Sequence, residues 1–208
     1  MRAHLKHERV DLKREPKIPI VKESVVKSEL LKYLKDHGIL QFGDFILKSG
    51  LTSNYYINIK TAFGHPRAVE LIVKAISLEL DKHNLSLDIT NVVGSGLGGH
   101  TFSSFILLSH KLFAGYDRGV AKKHGTGKVW EGKVPGPENN TLVLDDVYSN
   151  GTSMSETLLS LESQVGTSDM VKAIVVVVNR SDPKREFHTT SGGRQIPIIS
   201  IFSSSDFI

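Results

Sequence analysis

The sequence of 208 residues contains no cysteine. It can therefore form no disulfide, offers no thiol nucleophile and cannot build a zinc site from cysteine. It also lacks an apolar run of the roughly 18–20 residues that a membrane-spanning helix needs, and its polar N-terminus has no signal-peptide core. We therefore expect a cytoplasmic protein. Glycine (18) and proline (7) are too few for a collagen-like or disordered chain, so the length suits one α/β domain, or at most two small ones.

Positive charge is concentrated at one end of the chain. The formal net charge is +4, and residues 1–22 contain seven Lys or Arg against three Asp or Glu, so the remaining 19 basic and 19 acidic residues cancel. We interpret residues 1–22 as a solvated or partner-docking extension. A basic arm that binds nucleic acid is the alternative.

Candidate helices and strands alternate along the rest of the chain. Residues 23–36 have apolar residues at helical spacing, with Ser24 as a potential N-cap, and Pro66 opens a second helix. Strand candidates are 89–93, 111–116, 141–144, 171–178 and 196–202, with further helices after the glycine-rich turn 94–99 and after residues 149–152. This pattern predicts an α/β fold in which helices cover both faces of a mostly parallel sheet. We expect one domain over 23–208, with short strands in a small N-terminal hood (about 23–60) and a core sheet over about 66–208.

The segment from Thr141 to Ser153 has the strongest chemical pattern. Thr141 and three apolar residues lead to Asp145 and Asp146, and a loop of small and hydroxyl residues then opens a helix. Backbone N–H groups at a helix N-terminus favour an anion such as phosphate. Carboxylates beside a phosphate would repel it, so we expect them to accept ribose hydroxyls or to hold Mg²⁺ through water.

Residues Leu142 to Ser153 resemble the phosphoribosyl-pyrophosphate signature of type I phosphoribosyltransferases. The resemblance implies the fold of that family, a twisted and mostly parallel sheet with a hood. It also implies that Asp145 and Asp146 hold the ribose hydroxyls of the donor and that Ser149 to Ser153 cradle its 5′-phosphate. The complete set of donor-binding residues expected in this segment is Asp145, Asp146, Val147, Tyr148, Ser149, Asn150, Gly151, Thr152 and Ser153. We expect the amides around Leu97 and Gly98, in the glycine-rich turn, to meet the pyrophosphate.

The segment 117–128 has four cations and three glycines, and no acidic residue after Asp117. A cationic loop of this kind suits closure over a polyanion and stabilisation of departing pyrophosphate, although a solvated basic hairpin is the simpler interpretation of a charge run alone. The spacing of Arg118, Lys122 and His124 resembles the catalytic loop of orotate phosphoribosyltransferases. That resemblance implies that these three residues contact the donor and act in catalysis, and that the loop works across the subunits of a homodimer.

The segment from Phe42 to Asn58 is similar to the N-terminal element of the same family. The residues alone predict a hairpin with Tyr55 and Tyr56 as core aromatics. The resemblance implies that Lys48 contacts the donor, and that Tyr56 and Ile57 flank the pyrimidine. Arg180, after the apolar run Val171 to Val178, matches the arginine that pairs with orotate, and Ser149 joins this orotate set. An arginine at a strand end is a natural partner for a planar ligand with a carboxylate, or equally for a surface ion pair.

The implied reaction transfers a phosphoribosyl group from 5-phosphoribosyl 1-pyrophosphate to orotate, giving orotidine 5′-monophosphate and pyrophosphate in pyrimidine biosynthesis. The implied cofactor is Mg²⁺, bound through the substrate and bridged by water to Asp145 and Asp146. The alternatives are a phosphoribosyltransferase for another nucleobase and a regulator that binds the donor without catalysis. We expect no membrane partner and no nucleic acid partner.

Overall fold

The computed structural model describes residues 22–46, 52–117, 129–181 and 183–207. Its elements, in chain order, are α1 (Glu23–Asp36), β1 (Leu40–Ile46), β2 (Thr52–Ile57), α2 (Ile59–Ala62), α3 (Pro66–Lys82), β3 (Asn91–Gly94), α4 (Gly96–His110), β4 (Phe113–Asp117), β5 (Trp130–Gly132), β6 (Thr141–Tyr148), α5 (Thr152–Val165), β7 (Val171–Asn179), β8 (Phe187–Thr189), β9 (Gln195–Ser203) and a final 3₁₀ turn (Ser204–Phe207). No helix in these ranges combines the length and apolar character that a membrane crossing requires.

Seven strands form the main sheet, in the order β5-β4-β3-β6-β7-β9-β8. The pairs among β4, β3, β6, β7 and β9 are all parallel, whereas β5 and β8 pair antiparallel at the two edges. This arrangement confirms the predicted mostly parallel sheet. The edge strands were not predicted, because three residues are too few to show a period of two in the sequence.

Helices cover both faces of the sheet, as predicted. Successive side chains of a strand point to opposite faces, and in β6 Leu142 and Leu144 belong to one hydrophobic cluster while Val143 belongs to another. The first cluster includes buried residues of α1, α3 and α4, and the second includes Met154, Leu158 and Leu161 of α5. Strand β7 is buried along nearly its whole length, which explains the continuous apolar run in its sequence.

The N-terminal hood consists of α1, which packs on α3, and a separate two-stranded sheet of β1 and β2. Helix α1 buries Val26, Leu30 and Leu34. The helix bounds 23–36 are confirmed, but the predicted N-cap at Ser24 was wrong, because Lys22 is at the N-cap, two residues earlier. In β2, Tyr55 and Ile57 are buried and Tyr56 is exposed, so only one of the two tyrosines is a core aromatic.

Strand β6 is longer than predicted. The sequence pattern placed its end at Leu144, but Asp145, Val147 and Tyr148 continue the parallel pairing with Val176, Val178 and Asn179 of β7. Backbone pairing with a buried neighbouring strand outweighs the weak β-propensity of aspartate, which depends on context. The two aspartates therefore lie within the sheet rather than in the loop that follows it.

Candidate active site

The candidate site lies at the carboxyl ends of the parallel strands, where ligands bind in open α/β sheets. Strand β6 brings Asp145 and Asp146 there, and their exposed fractions are only 8% and 4%. The backbone N–H of Asp146 donates a hydrogen bond to Oδ1 of Asp145 over 2.8 Å. Two carboxyl groups are thus held next to each other with little access to water.

Burial and, to a lesser extent, the adjacent Asp146 side chain raise the pKa of Asp145 to about 8, against the opposing charge of Lys60. Two neighbouring carboxyls out of water cannot both ionise without a large cost. At neutral pH, this environment therefore favours a proton on Asp145 when no donor is bound. Ribose hydroxyls or a cation would have to replace that proton when a ligand binds.

A positive charge reaches this acidic pair from the short helix α2. The ammonium of Lys60 lies 2.5 Å from Oδ2 of Asp146, and the Lys60 side chain is half exposed. Its neighbours Ile59 and Ala62 are fully buried, so they fix α2 against the core while Lys60 remains on the outer side. Sequence reasoning missed Lys60, since one lysine in a short polar connection gives no signal of what it will face.

The glycine-rich turn, residues 94–99, comprises the end of β3 and the first turn of α4, and it packs directly on β6. A Cβ atom at Gly98 would lie 2.2 Å from Oδ1 of Asp146, and one at Gly99 would lie 2.2 Å from the carbonyl oxygen of Leu144. The N–H of Ser95 also donates to the Leu144 carbonyl over 2.8 Å. These glycines are needed because the turn approaches β6 too closely for any side chain. The first N–H groups of α4 have no partner within the helix and are directed out of its N-terminus.

The loop after β6 leads into α5 through Gly151, the N-cap residue, whose φ of +88° is the left-handed conformation that glycine adopts readily. The side chains of Ser149, Asn150, Thr152 and Ser153 are exposed around it. The polar loop therefore places exposed hydroxyls beside the N-terminus of α5, an arrangement that suits a phosphate.

Two hydroxyl groups connect this loop to the glycine-rich turn. Ser95 Oγ donates to the carbonyl oxygen of Ser153 over 3.3 Å, and Thr157 Oγ1 donates to Ser95 Oγ over 2.9 Å. Ser95 and Thr157 are both buried. The N-termini of α4 and α5 are thereby fixed relative to each other, on either side of the acidic pair.

The predicted donor-binding set divides into two groups in the structure. The exposed residues 149, 150, 152 and 153 line the loop, whereas the half-buried Val147 packs against the larger core cluster and Tyr148 is 2% exposed. Leu97 is 74% exposed at the start of α4, and Gly98 is buried against Asp146. Tyr148 can thus reach a ligand only through its backbone.

Arg180 follows β7 and lies between this loop and the hood. Its N–H donates to the Tyr148 carbonyl over 2.7 Å, and its guanidinium lies 5.3 Å from the centre of the Tyr55 ring, within the range of a cation–π contact. Tyr56 is 41% exposed, whereas Ile57 is buried in the core. The two residues point to opposite faces of β2, so the structure brings Tyr56 but not the Ile57 side chain to the surface.

No family model matches the sequence, but curated relatives do. An orotate phosphoribosyltransferase of Pyrococcus abyssi is 34% identical over 176 residues, which cover 85% of this chain and 93% of that protein. An orotate phosphoribosyltransferase of Methanococcus maripaludis is 30% identical over 86% of this chain and 94% of that protein. The chain belongs to the orotate phosphoribosyltransferase family. The crystal structure of the orotate phosphoribosyltransferase from Aeropyrum pernix shares the fold, with a TM-score of 0.62 and 24% identity over 86% of this chain and 95% of that chain.

Several residues that resembled functional positions of orotate phosphoribosyltransferases lie outside the described residues. They are Lys48, Arg118, Lys122 and His124, and the basic extension 1–22 lies outside them except for Lys22. Segment 118–128 joins β4 to β5, where Asp117 and Trp130 are paired neighbours. Asp117 also lines a cleft of about 620 Å³ with Leu97 and Ser153. Asp117, the described residue that precedes this segment, therefore lies close to the candidate donor site, and Trp130 is its neighbour in the sheet.

Proposed function

We propose that this protein transfers the phosphoribosyl group of 5-phosphoribosyl 1-pyrophosphate to orotate, in pyrimidine biosynthesis. The bond from C1 of the ribose to pyrophosphate breaks, and a bond from C1 to a ring nitrogen of orotate forms. The observation that supports this function best is the arrangement around β6. A buried pair of carboxyls is followed at once by a polar helix N-terminus, and both pack against a glycine turn.

The donor would bind across three neighbouring parts of the site. The amides of α5 and the hydroxyls of Ser149, Thr152 and Ser153 would hold the 5′-phosphate. Asp145 and Asp146 would accept hydrogen bonds from the ribose hydroxyls. The N-terminal amides of α4 would face the pyrophosphate. Each group of the donor would then meet a part of the protein with complementary charge or hydrogen bonding.

Mg²⁺ fits this site as an ion that arrives with the donor. No group of three His, Cys, Asp or Glu side chains within the described ranges could hold a metal ion, but Mg²⁺ commonly keeps its waters and binds through one or two carboxylates together with substrate phosphates. Asp145 and Asp146 supply such carboxylates. When bound, the ion would neutralise charge that develops on the leaving pyrophosphate.

Orotate would bind on the hood side of the site. Arg180 would pair with its carboxylate through a charge-assisted hydrogen bond, and Tyr56 would contact the ring, with Ser149 at the junction with the ribose. We retain Lys48, Arg118, Lys122 and His124 as the cationic and catalytic groups that meet the pyrophosphate. We also propose a homodimer in which segment 117–128 acts across subunits. A cytoplasmic location stays a prediction as well.

The loss of orotate absorbance in the presence of 5-phosphoribosyl 1-pyrophosphate and Mg²⁺ tests the reaction. We expect activity in the wild type, and we expect Lys122→Ala to lower turnover far more than donor affinity measured by calorimetry. Lys172→Ala is a matched control, since Lys172 is exposed at the other end of the parallel strands.

Other outcomes of the same assay would support the alternatives. Pyrophosphate release with another nucleobase but not with orotate would indicate a different base. Donor binding with no turnover for any base would indicate a regulator. Unchanged turnover in Lys122→Ala would refute the role given to that residue. Salt-sensitive nucleic acid binding that disappears on deletion of residues 1–22 would support the alternative function of the basic extension.

A further inference from the structure

A buried tyrosine–histidine pair lies beneath the loop that we assign to the 5′-phosphate. Tyr148, at the end of β6, is 2% exposed, and His188, on the edge strand β8, is 4% exposed. The Tyr148 hydroxyl is 3.0 Å from Nδ1 of His188. The other ring nitrogen, Nε2, is 3.4 Å from the hydroxyl of Ser155 in the first turn of α5. The histidine thus connects the end of β6 to the start of α5, the two elements that the loop joins.

The loop backbone rests directly on this pair. A Cβ atom at Gly151 would lie 2.6 Å from the Tyr148 hydroxyl oxygen and 3.0 Å from Nδ1 of His188. The N–H of Ser155 donates to the Gly151 carbonyl over 2.9 Å, so Gly151 is held from below by the rings and from one side by the first turn of α5. The position of the N-cap therefore depends on the position of the two rings.

The hydrogen-bonding groups of Tyr148 and His188 suit a pair that holds the loop in one conformation. Burial lowers the pKa of His188, and the charge of Arg185 lowers it further, so the ring is neutral and has one donor and one acceptor nitrogen. Both of its partners are hydroxyls, which can donate or accept. Strand β8 holds the ring in place through its antiparallel pairing with β9, in which His188 is opposite Ile196.

We propose that His188, acting through Tyr148, is a positioning residue that sets the shape of the phosphate loop and thereby the affinity for the 5′-phosphate of the donor. His188 does not touch the ligand in this arrangement. It fixes the position of Gly151 and the orientation of the first turn of α5. The direction of the amides assigned to the phosphate depends on both. This inference rests on the proposed function, because it takes the loop to be the phosphate site.

The test uses Tyr148→Phe, His188→Leu and His188→Asn in the full-length protein. Calorimetry measures the binding of ribose 5-phosphate, which has the 5′-phosphate and no pyrophosphate, and steady-state kinetics gives KM for each substrate. We expect Tyr148→Phe to weaken ribose 5-phosphate binding about fivefold, the factor that corresponds to one ordinary hydrogen bond. KM for the donor should rise by a similar factor, with KM for orotate and kcat within about twofold of wild type.

The remaining variants separate positioning from folding. His188→Asn keeps a polar atom near Nδ1 and should recover part of the affinity that His188→Leu loses. The double variant Tyr148→Phe/His188→Leu should bind no more weakly than His188→Leu alone, because both changes remove one shared contact. Tyr33→Phe is the matched control, since Tyr33 has its own histidine contact, 3.4 Å to His65, in the hood.

Three results would overturn the proposal. Unchanged ribose 5-phosphate affinity in Tyr148→Phe, with wild-type binding intact, would overturn it while leaving the proposed function standing. An equal rise in KM for both substrates, or fully additive effects in the double variant, would indicate general structural damage instead. Failure of the wild type to bind ribose 5-phosphate and the donor would overturn the proposed function as well. If His188→Leu does not fold, Tyr148→Phe decides alone, since it removes a single oxygen atom and preserves the ring.

Discussion

Replacing Asp145 by asparagine should make the donor-free protein more stable near pH 8 and leave its stability almost unchanged near pH 5. The pKa of the buried Asp145 carboxyl is raised from 3.8 to about 8. The folded protein therefore keeps a proton that the unfolded chain releases above about pH 4. Because the folded state binds more protons across this range, the free energy of unfolding falls as pH rises from about 4 to about 8.

The size of the change in unfolding free energy follows from the difference between the pH and the pKa of Asp145 in the unfolded chain. At pH 7 the difference is about three pH units, and at 1.36 kcal/mol per unit the cost of the native Asp145 is about 4 kcal/mol. Asparagine avoids that cost and can still accept the hydrogen bond from the Asp146 N–H. It replaces one buried O–H donor by two N–H donors, however, and the additional donor costs about 1–3 kcal/mol if it has no partner. The net gain is about 1–3 kcal/mol, or roughly 3–8 °C in Tm for a chain of this size. At pH 5 the two terms nearly cancel.

Thermal unfolding of wild type and Asp145→Asn at several pH values between about 5 and 8, without donor, measures this difference. Asp44→Asn is the control, because it makes the same substitution at an exposed position on β1. A Tm difference for Asp145→Asn that is constant with pH, or a variant less stable than wild type at pH 8, would refute the reasoning. The same variant should bind the donor more weakly, so stability and affinity should move in opposite directions.

Three further substitutions test individual contacts of the site. Gly98→Ala should weaken donor binding at least about tenfold in calorimetry, because its Cβ would lie 2.2 Å from Oδ1 of Asp146 and displace that carboxyl. Lys60→Met should weaken donor binding about two- to fivefold, since it removes a half-exposed cation beside the acidic pair. Arg180→Met should raise KM for orotate about tenfold or more while KM for the donor stays within about twofold, as expected for loss of one charge-assisted hydrogen bond.

Each substitution has a counterpart away from the site. Gly192→Ala has its nearest contact at 3.9 Å and should not affect the donor. Lys172→Met and Arg67→Met remove exposed positive charges elsewhere and should leave both substrates unaffected. Donor binding by Gly98→Ala at wild-type strength would contradict the close approach of the glycine turn to Asp146. A rise in KM for the donor equal to that for orotate would contradict the role given to Arg180.

The periodic parts of the fold could be predicted from the sequence. Helix α1 has apolar residues at helical spacing, Pro66 is at the start of α3, and the apolar run of β7 indicates a strand buried on both faces. The loop before α5 was located for the same reason, because its residue types favour a turn and a helix start. The helix predicted to follow residues 94–99 begins earlier than expected, at Gly96. Local patterns of this kind survive folding because tertiary contacts agree with them.

The contacts that complete the site could not be predicted. Lys60 meets Asp146 across 86 positions of sequence, and His188 meets Tyr148 across 40. Neither residue belongs to a local pattern, and each acquires its role only when the sheet order brings distant segments together. The extension of β6 through Asp145 was missed for a related reason, because it depends on the neighbouring strand β7 rather than on β6 itself.

Helix α5 makes side-chain hydrogen bonds to both edges of the sheet. The indole N–H of Trp130, on the edge strand β5, donates to the hydroxyl of Ser160 over 3.1 Å, and His188, on the opposite edge strand β8, lies 3.4 Å from that of Ser155. The helix therefore connects the two edge strands of the sheet, which have three residues each. A ligand seated at the N-terminus of α5 would then slow amide exchange in both edge strands of the sheet. Binding of a ligand at one site would thus be detectable as slower amide exchange on both sides of the sheet.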